Sequence, residues 1–179
     1  MRNPKLLILA PLVLFLASQL VPITTVNIAQ YDEAIYLDVA RSIQRTGLPI
    51  RTIDPEGRLL LDQTALYPDA LSLMTAVFGD DVRLSRLVTV AFALGTIALV
   101  FKIAERRRGP LAGLVAASLL AANPFFNLYS YFIRMEVFMC FFLVLATFFL
   151  DRYEESLRDR TLVAGSLAIT TAVMLKVIA

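Results

Sequence analysis

The feature of this chain that most limits its fold is a set of long, uncharged apolar runs. Residues 109–133 contain no charged side chain, and residues 6–28 form a second run of the same kind. A helix needs roughly 20 consecutive apolar residues to cross the hydrocarbon core of a bilayer. A soluble domain would space its apolar residues periodically instead of collecting them in runs. With a mean hydropathy of +0.71, the sequence predicts an integral membrane protein.

The apolar segments predict an all-α polytopic membrane protein with a single membrane domain over residues 1–179. About five spans are expected, at 6–28, 87–104, 111–127, 137–150 and 161–179, with a large external loop at 29–86. Pro124 predicts a kink or an end in the third span, because proline lacks a backbone N–H. A cleaved signal peptide is the alternative for the first run, but Phe15-Leu16-Ala17 is a poor cleavage site.

The external loop predicts two interfacial helices. The first covers 33–46, with Asp32 as a favourable N-cap, and its apolar positions fall on one face. The second covers 68–78, where Pro68 suits the first helical position. Residues 54–57 read Asp-Pro-Glu-Gly, which is typical of a turn. Short helices with one apolar face beside a membrane are expected to lie along its surface.

Basic residues collect at one end of the predicted spans. They are Arg2, Lys5, the cluster at 102–108, Arg152, Arg158 and Arg160. The positive-inside rule makes this end cytoplasmic and places the N-terminus there. The external loop then faces the non-cytoplasmic side of the cell membrane, or of the ER membrane in a eukaryote. The arginine run at 106–108 indicates topology or lipid head-group contact, so no nucleic-acid partner is expected.

The chain has no histidine and one cysteine, Cys140. Histidine-based triads, HExxH zinc sites, disulfides and cysteine metal sites are therefore excluded as functions of these residues. Acid–base chemistry must depend on carboxylates, lysine or tyrosine.

The predicted topology brings charged residues that are distant in sequence to the same membrane face. They are Asp32, Glu33, Arg86, Arg134, Glu136 and Lys176. Ionisable groups at membrane depth are costly and often mark a functional site. A carboxylate beside cations would suit a reaction in which a base activates a hydroxyl while the cations hold a phosphate.

Each of these residues also has a structural interpretation. Asp32 could serve only as a helix cap. Arg86 and Lys176 could be cations that extend from span ends to the head groups. Arg134 and Glu136 could form an ion pair within a turn, which contributes little energy at a surface.

The segment Tyr31-Asp32-Glu33-Ala34-Ile35-Tyr36, followed by Ala40-Arg41 and Gly47, resembles the first external loop of the membrane-embedded GT-C glycosyltransferases. The branch it resembles contains protein O-mannosyltransferases and the aminoarabinose transferases of lipid A. Weaker markers follow at Tyr67-Pro68, Phe78-Gly79, Arg86-Leu87, Pro124, Arg134-Met135-Glu136 and Lys176. The resemblance extends over nearly the whole chain.

This resemblance implies transfer of a sugar from a polyprenyl-phosphate donor to an acceptor hydroxyl on the non-cytoplasmic face, with inversion. It implies that Asp32 is the catalytic base and that Glu33 orients the acceptor or Asp32. Arg134 and Lys176 would hold the phosphate, with Arg86 as a further substrate-binding cation.

Glu136 matches the second acidic position of that family, which in some members helps to bind a divalent metal. Here we expect Glu136 to contact substrate, and no metal cofactor. The expected partners are the lipid-linked sugar donor, a protein, lipid or glycan acceptor, and membrane lipids.

Family members are usually several hundred residues long and have more spans. The alternative expectation is therefore a truncated, inactive chain, or a non-enzymatic membrane subunit that binds lipid-linked sugar or an additional subunit. A transporter is disfavoured, because the acids lie outside the membrane and not at its midplane.

Overall fold

The computed structural model describes residues 6–26, 31–53, 56–59 and 65–175, which fold predominantly into helices. Within these ranges the order is α1 Leu9–Thr25, α2 Tyr31–Thr46, β1 Ile50–Arg51, β2 Arg58–Leu59, α3 Leu66–Phe78, α4 Val82–Arg108, α5 Pro110–Ala121, α6 Pro124–Ser130, α7 Met135–Ser156 and α8 Asp159–Leu175. The predicted all-α fold class is confirmed. Lys176, a predicted phosphate ligand, lies outside the described residues, as do Asp54 and Pro55 of the predicted turn.

Among the described helices, α4 alone is both long and apolar enough to cross a membrane by itself. The pair α5 and α6 meets the same criterion together, although its axis bends by 65° at the break. Two further helices, α1 and α3, are apolar but shorter. The structure is thus all-helical in character with one candidate span, or two if the bent pair is counted, while the count of five spans stays a prediction.

Helix α4 begins and ends at residues with defined capping geometry. The Asp81 side chain accepts a hydrogen bond from the backbone N–H of Arg83 at 2.7 Å, which satisfies one of the free donors in the first turn. Gly109 ends the helix with φ of 86°, a conformation that glycine adopts without steric cost. The helix therefore starts before the predicted span at 87–104, and Arg86 lies inside it.

The third predicted span is divided in two, as Pro124 suggested, but α5 ends at Ala121 and not near residue 127. Asn123 caps α6 by accepting a hydrogen bond from Phe126 N at 3.0 Å. The side-chain amide of Asn127 donates to the carbonyls of Ala121 at 2.5 Å and Asn123 at 3.0 Å. These bonds satisfy carbonyl groups that the break would otherwise leave exposed in an apolar environment.

The external segment differs from its prediction in three details. Helix α2 already includes Tyr31, so Asp32 lies in the first helical turn, and its predicted role as N-cap is wrong. Helix α3 starts at Leu66, two residues before Pro68. Strands β1 and β2 pair antiparallel as a short hairpin that was not predicted.

Helices α2 and α3 pack together and onto the first turns of α7. The Gln44 amide donates to Ser72 O at 2.7 Å and to Thr75 Oγ1 at 2.6 Å. The apolar core between these elements includes Tyr36, Leu37, Ala40, Tyr67, Leu71, Ile133, Met135 and Phe138. This core fixes the start of α2, which carries Asp32 and Glu33, relative to the start of α7, which carries Arg134 and Glu136.

The opposite end of the bundle is held by ion pairs between α4 and α7. Asp151, whose side chain is 5% exposed, accepts a bond from Arg107 Nε at 2.5 Å and lies 3.6 Å from Arg106 Nε. Arg106 also pairs with Glu155. The basic cluster that predicts the cytoplasmic end is thus partly neutralised by acids of the neighbouring helix.

Candidate active site

The two adjacent carboxylates of α2 occupy different environments. Asp32 and Glu33 are consecutive in a helix, so their side chains project about 100° apart. Glu33 is fully buried, whereas 42% of the Asp32 side chain is exposed. One acid of the predicted pair is therefore available to a substrate, and the other is enclosed by protein.

Glu33 binds Arg86 of α4 through both carboxylate oxygens. Arg86 Nε donates to Oε1 and Nη2 donates to Oε2, each at 2.8 Å. The guanidinium also lies over the ring of Phe132, 5.5 Å from its centroid. Two parallel bonds between guanidinium and carboxylate fix both position and orientation.

The same pair also connects two further parts of the chain. Arg86 Nη1 donates to the carbonyl of Val26, at the end of α1, at 2.6 Å. Glu33 Oε1 accepts a bond from the backbone N–H of Ile133 at 3.2 Å, immediately before α7. The ion pair thus joins the end of α1, α2, α4 and the segment that leads into α7.

Asp32 contacts Arg134, which occupies the N-cap position of α7. Arg134 Nη1 donates to Asp32 Oδ2, and the Arg134 side chain is 16% exposed. Its guanidinium lies over the ring of Tyr129, 5.1 Å from the centroid. Because Ile133 is held by Glu33, the backbone that carries Arg134 is fixed next to Asp32.

Glu136 lies in the first turn of α7, two residues after Arg134. It faces a groove of about 240 Å³ between α7 and the α5–α6 break, which we call the Glu136 groove. The groove is lined by Leu120, Asn123, Phe125, Phe126, Tyr129, Glu136, Val137 and Cys140. Tyr129 therefore has contacts with both the groove and Arg134.

Tyr67 packs between α2 and α7 in the core next to the site, a role that the residue pattern did not predict. Its ring is fully buried and makes edge contacts with Tyr36 of α2 at 5.0 Å and Phe138 of α7 at 4.9 Å. Burial raises the pKa of the Tyr67 phenol well above its ordinary value, and its hydroxyl neighbours that of Thr89. The only sequence signal at this position was the weak Tyr67-Pro68 marker.

The structure therefore brings four of the six predicted site residues into one cluster, namely Asp32, Glu33, Arg86 and Arg134. Glu136 borders this cluster from the groove side, and Lys176 is outside the described residues. Among the residues that the structure describes, no three cysteine, aspartate or glutamate side chains are arranged to hold a metal ion. The chemical resources of the site are one accessible carboxylate, one partly accessible guanidinium and a groove beside them.

Comparison with known proteins gives one match. The family model for dolichyl-phosphate-mannose-protein mannosyltransferases matches residues 62–179, which is more than half of the chain. The matched segment includes Arg86, Arg134 and Glu136, whereas Asp32 and Glu33 precede it. No curated protein and no solved structure matches the chain.

Proposed function

The chain belongs to the dolichyl-phosphate-mannose-protein mannosyltransferase family of membrane-embedded GT-C glycosyltransferases, and on this premise we propose that it transfers a sugar from a polyprenyl-phosphate donor to an acceptor hydroxyl. The acceptor is a protein, a lipid or a glycan. The observation that carries this proposal is the contact of the half-exposed Asp32 carboxylate with Arg134, beside an ion pair that fixes both.

In the proposed reaction, Asp32 takes the proton of the acceptor hydroxyl as its oxygen forms a bond to the anomeric carbon. The bond from that carbon to the phosphate oxygen breaks, and polyprenyl phosphate leaves with the electron pair. A single displacement inverts the anomeric configuration. Arg134 stabilises the negative charge that grows on the phosphate as the bond breaks.

Asp32 and Arg134 contact one another directly in the structure, so neither group is ready for its proposed task. A donor phosphate carries negative charge and competes with the Asp32 carboxylate for the guanidinium. We therefore expect donor binding to draw Arg134 to the phosphate and to release Asp32 for proton transfer. This exchange would couple activation of the base to the presence of the donor.

Glu33 and Arg86 serve, in this proposal, to position the reacting groups instead of binding the substrate. Each of the three guanidinium nitrogens of Arg86 already donates to a protein acceptor, two to Glu33 and one to Val26 O. Both side chains are almost completely buried. A substrate would have to break several charge-assisted bonds to reach either of them.

The proposed site faces the non-cytoplasmic side, because the basic cluster of α4 lies at the opposite end of that helix. We further propose that the reaction needs no divalent metal, since a guanidinium is present where phosphate charge develops. Transfer should then persist after treatment with EDTA, and loss of transfer that Mg²⁺ or Mn²⁺ restores would contradict this part.

The test of the proposed function is Asp32→Asn in the full chain, reconstituted in lipid with dolichyl phosphate mannose and hydroxyl acceptors. Loss of the base should reduce transfer by at least about 100-fold while donor binding persists. Asp80→Asn is the matched control, because Asp80 is an exposed acid of the same external region and pairs with Arg41. Undiminished transfer by Asp32→Asn would contradict the proposal. Donor binding without transfer by the unaltered chain would favour the non-enzymatic subunit.

A further inference from the structure

The Glu136 groove lies at the junction of three elements that lead to the proposed active site. Its walls come from the end of α5, from α6 and from the first turns of α7. Its volume of about 240 Å³ is below the range of roughly 300–1,000 Å³ that is usual for whole small-molecule sites. It can therefore hold one compact group of a larger ligand.

The groove is connected to the proposed phosphate ligand through Tyr129. The Tyr129 ring forms part of the groove wall, and the Arg134 guanidinium lies over the same ring, 5.1 Å from its centroid. Glu136 follows Arg134 by two residues in the same turn of α7. A group attached directly to a phosphate at Arg134 would therefore lie within reach of the groove.

The lining combines aromatic faces with a few polar groups. Phe125, Phe126 and Tyr129 provide the aromatic surface, while Glu136 and Asn123 provide a carboxylate and an amide. An isoprenoid chain has no group that could donate a hydrogen bond to the carboxylate or the amide. A hexose ring presents a face of C–H groups to aromatic rings and a rim of hydroxyls to polar acceptors. The groove lining therefore fits a hexose ring better than it fits an isoprenoid chain.

We propose that the Glu136 groove holds the sugar ring of the lipid-linked donor, with Glu136 accepting a sugar hydroxyl. This inference rests on the proposed function, because it takes Arg134 as the phosphate ligand. It assigns the two acids of the site to different parts of the substrates. Asp32 takes the proton of the acceptor hydroxyl, and Glu136 accepts a hydrogen bond from a hydroxyl of the donor sugar.

The test uses two probes that share the lipid and the phosphate, dolichyl phosphate mannose with the sugar and dolichyl phosphate without it, and compares each probe with itself between protein variants. Binding of each to the full chain in nanodiscs is measured for the unaltered protein and for Glu136→Gln. Affinity for the sugar-bearing probe should fall about tenfold, because a hydrogen bond to a charged acceptor is weakened. Affinity for dolichyl phosphate should stay unchanged. Equal losses for both probes, or no loss for either, would overturn the inference.

Two further variants keep the test independent of misfolding. Phe125→Ala removes part of the aromatic wall at a largely exposed position and should also weaken only the sugar-bearing probe. Glu154→Gln changes an exposed acid at the far end of α7 and should leave both affinities unchanged. If Glu136→Gln and Phe125→Ala weaken only the sugar-bearing probe but the unaltered chain does not transfer sugar, the catalytic proposal fails while the groove assignment stands. If neither variant weakens that probe selectively, the groove assignment fails.

Discussion

Glu33 and Arg86 form a two-point ion pair from which solvent is almost entirely excluded, with side chains 0% and 3% exposed. A buried pair of this kind gains little net stability, since desolvation of both charges offsets their attraction. Its geometric effect is larger, because it fixes the α2 turn that carries Asp32 and the backbone that precedes Arg134. We interpret the pair as the element that positions the reacting groups.

Glu33→Gln should destabilise the protein by about 3–5 kcal/mol, because it leaves the Arg86 charge buried without its counterion. The measurement is unfolding of the reconstituted chain by heat or denaturant. Glu56→Gln is the matched control, since its pair with Arg58 is exposed and contributes at most about 1 kcal/mol. If both substitutions lowered the free energy of unfolding equally, the buried pair would contribute no more to stability than an exposed one.

Positioning and stability can be separated with a double variant. Glu33→Leu combined with Arg86→Leu removes both charges, so part of the stability lost in Glu33→Gln should return. Sugar transfer should not return, because residue 33, the neighbour of Asp32, then lacks the bonds to Arg86 and to the Ile133 N–H that fix α2 relative to the start of α7. Recovery of transfer together with stability would assign the pair a purely structural role.

Arg134→Gln should weaken binding of dolichyl phosphate by about tenfold or more, because a charge-assisted contact to phosphate is lost. Binding of the bare lipid phosphate is the appropriate measurement, since it does not depend on the sugar. Arg41→Gln serves as control, because Arg41 is an arginine of the same external region and its partner is Asp80. Unchanged affinity in Arg134→Gln would remove Arg134 from the phosphate site.

Much of the helical fold follows from the sequence, because apolar runs and end signals are local. The stop of α3 before Gly79 and the interruption near Pro124 are examples. The bend of 65° between α5 and α6 was not predictable in size, and the bonds that Asn127 makes to Ser18 and Ala121 across it join residues that no local pattern connects. The hairpin of β1 and β2 has two residues in each strand, too few to show a periodic pattern.

The candidate site was predictable as a set of residues but not as an arrangement. The predicted membrane topology alone places Asp32, Arg86 and Arg134 at one face. It does not determine which of two consecutive acids is buried, because that depends on the rotation of α2 relative to α4. The separate tasks proposed for Asp32 and Glu33 therefore became visible only when the packing was known.

Asn127 should be important for folding, because one side chain joins α6 to both α5 and α1. Its carbonyl oxygen accepts bonds from Ser18 Oγ and Gln19 Nε2, each at 2.9 Å, while its amide donates to the Ala121 and Asn123 carbonyls. Asn127→Leu would remove the bond that the buried Gln19 amide donates to residue 127 and the bond that the Ala121 carbonyl accepts from it. We expect destabilisation of about 1–3 kcal/mol for each group left unsatisfied.

Thermal unfolding of the reconstituted chain measures this loss, with Ser18→Ala as an intermediate case. This substitution removes one of the two bonds to the Asn127 carbonyl oxygen and keeps the other bonds of Asn127, so its effect should be smaller than that of Asn127→Leu. Thr171→Val is a suitable control, because the exposed Thr171 hydroxyl donates to Leu167 O within its own helix. If Asn127→Leu were no more harmful than this control, backbone geometry alone would maintain the bend. A large effect would instead show that the Asn127 side chain helps to hold α6, and with it Tyr129, in place beside Arg134.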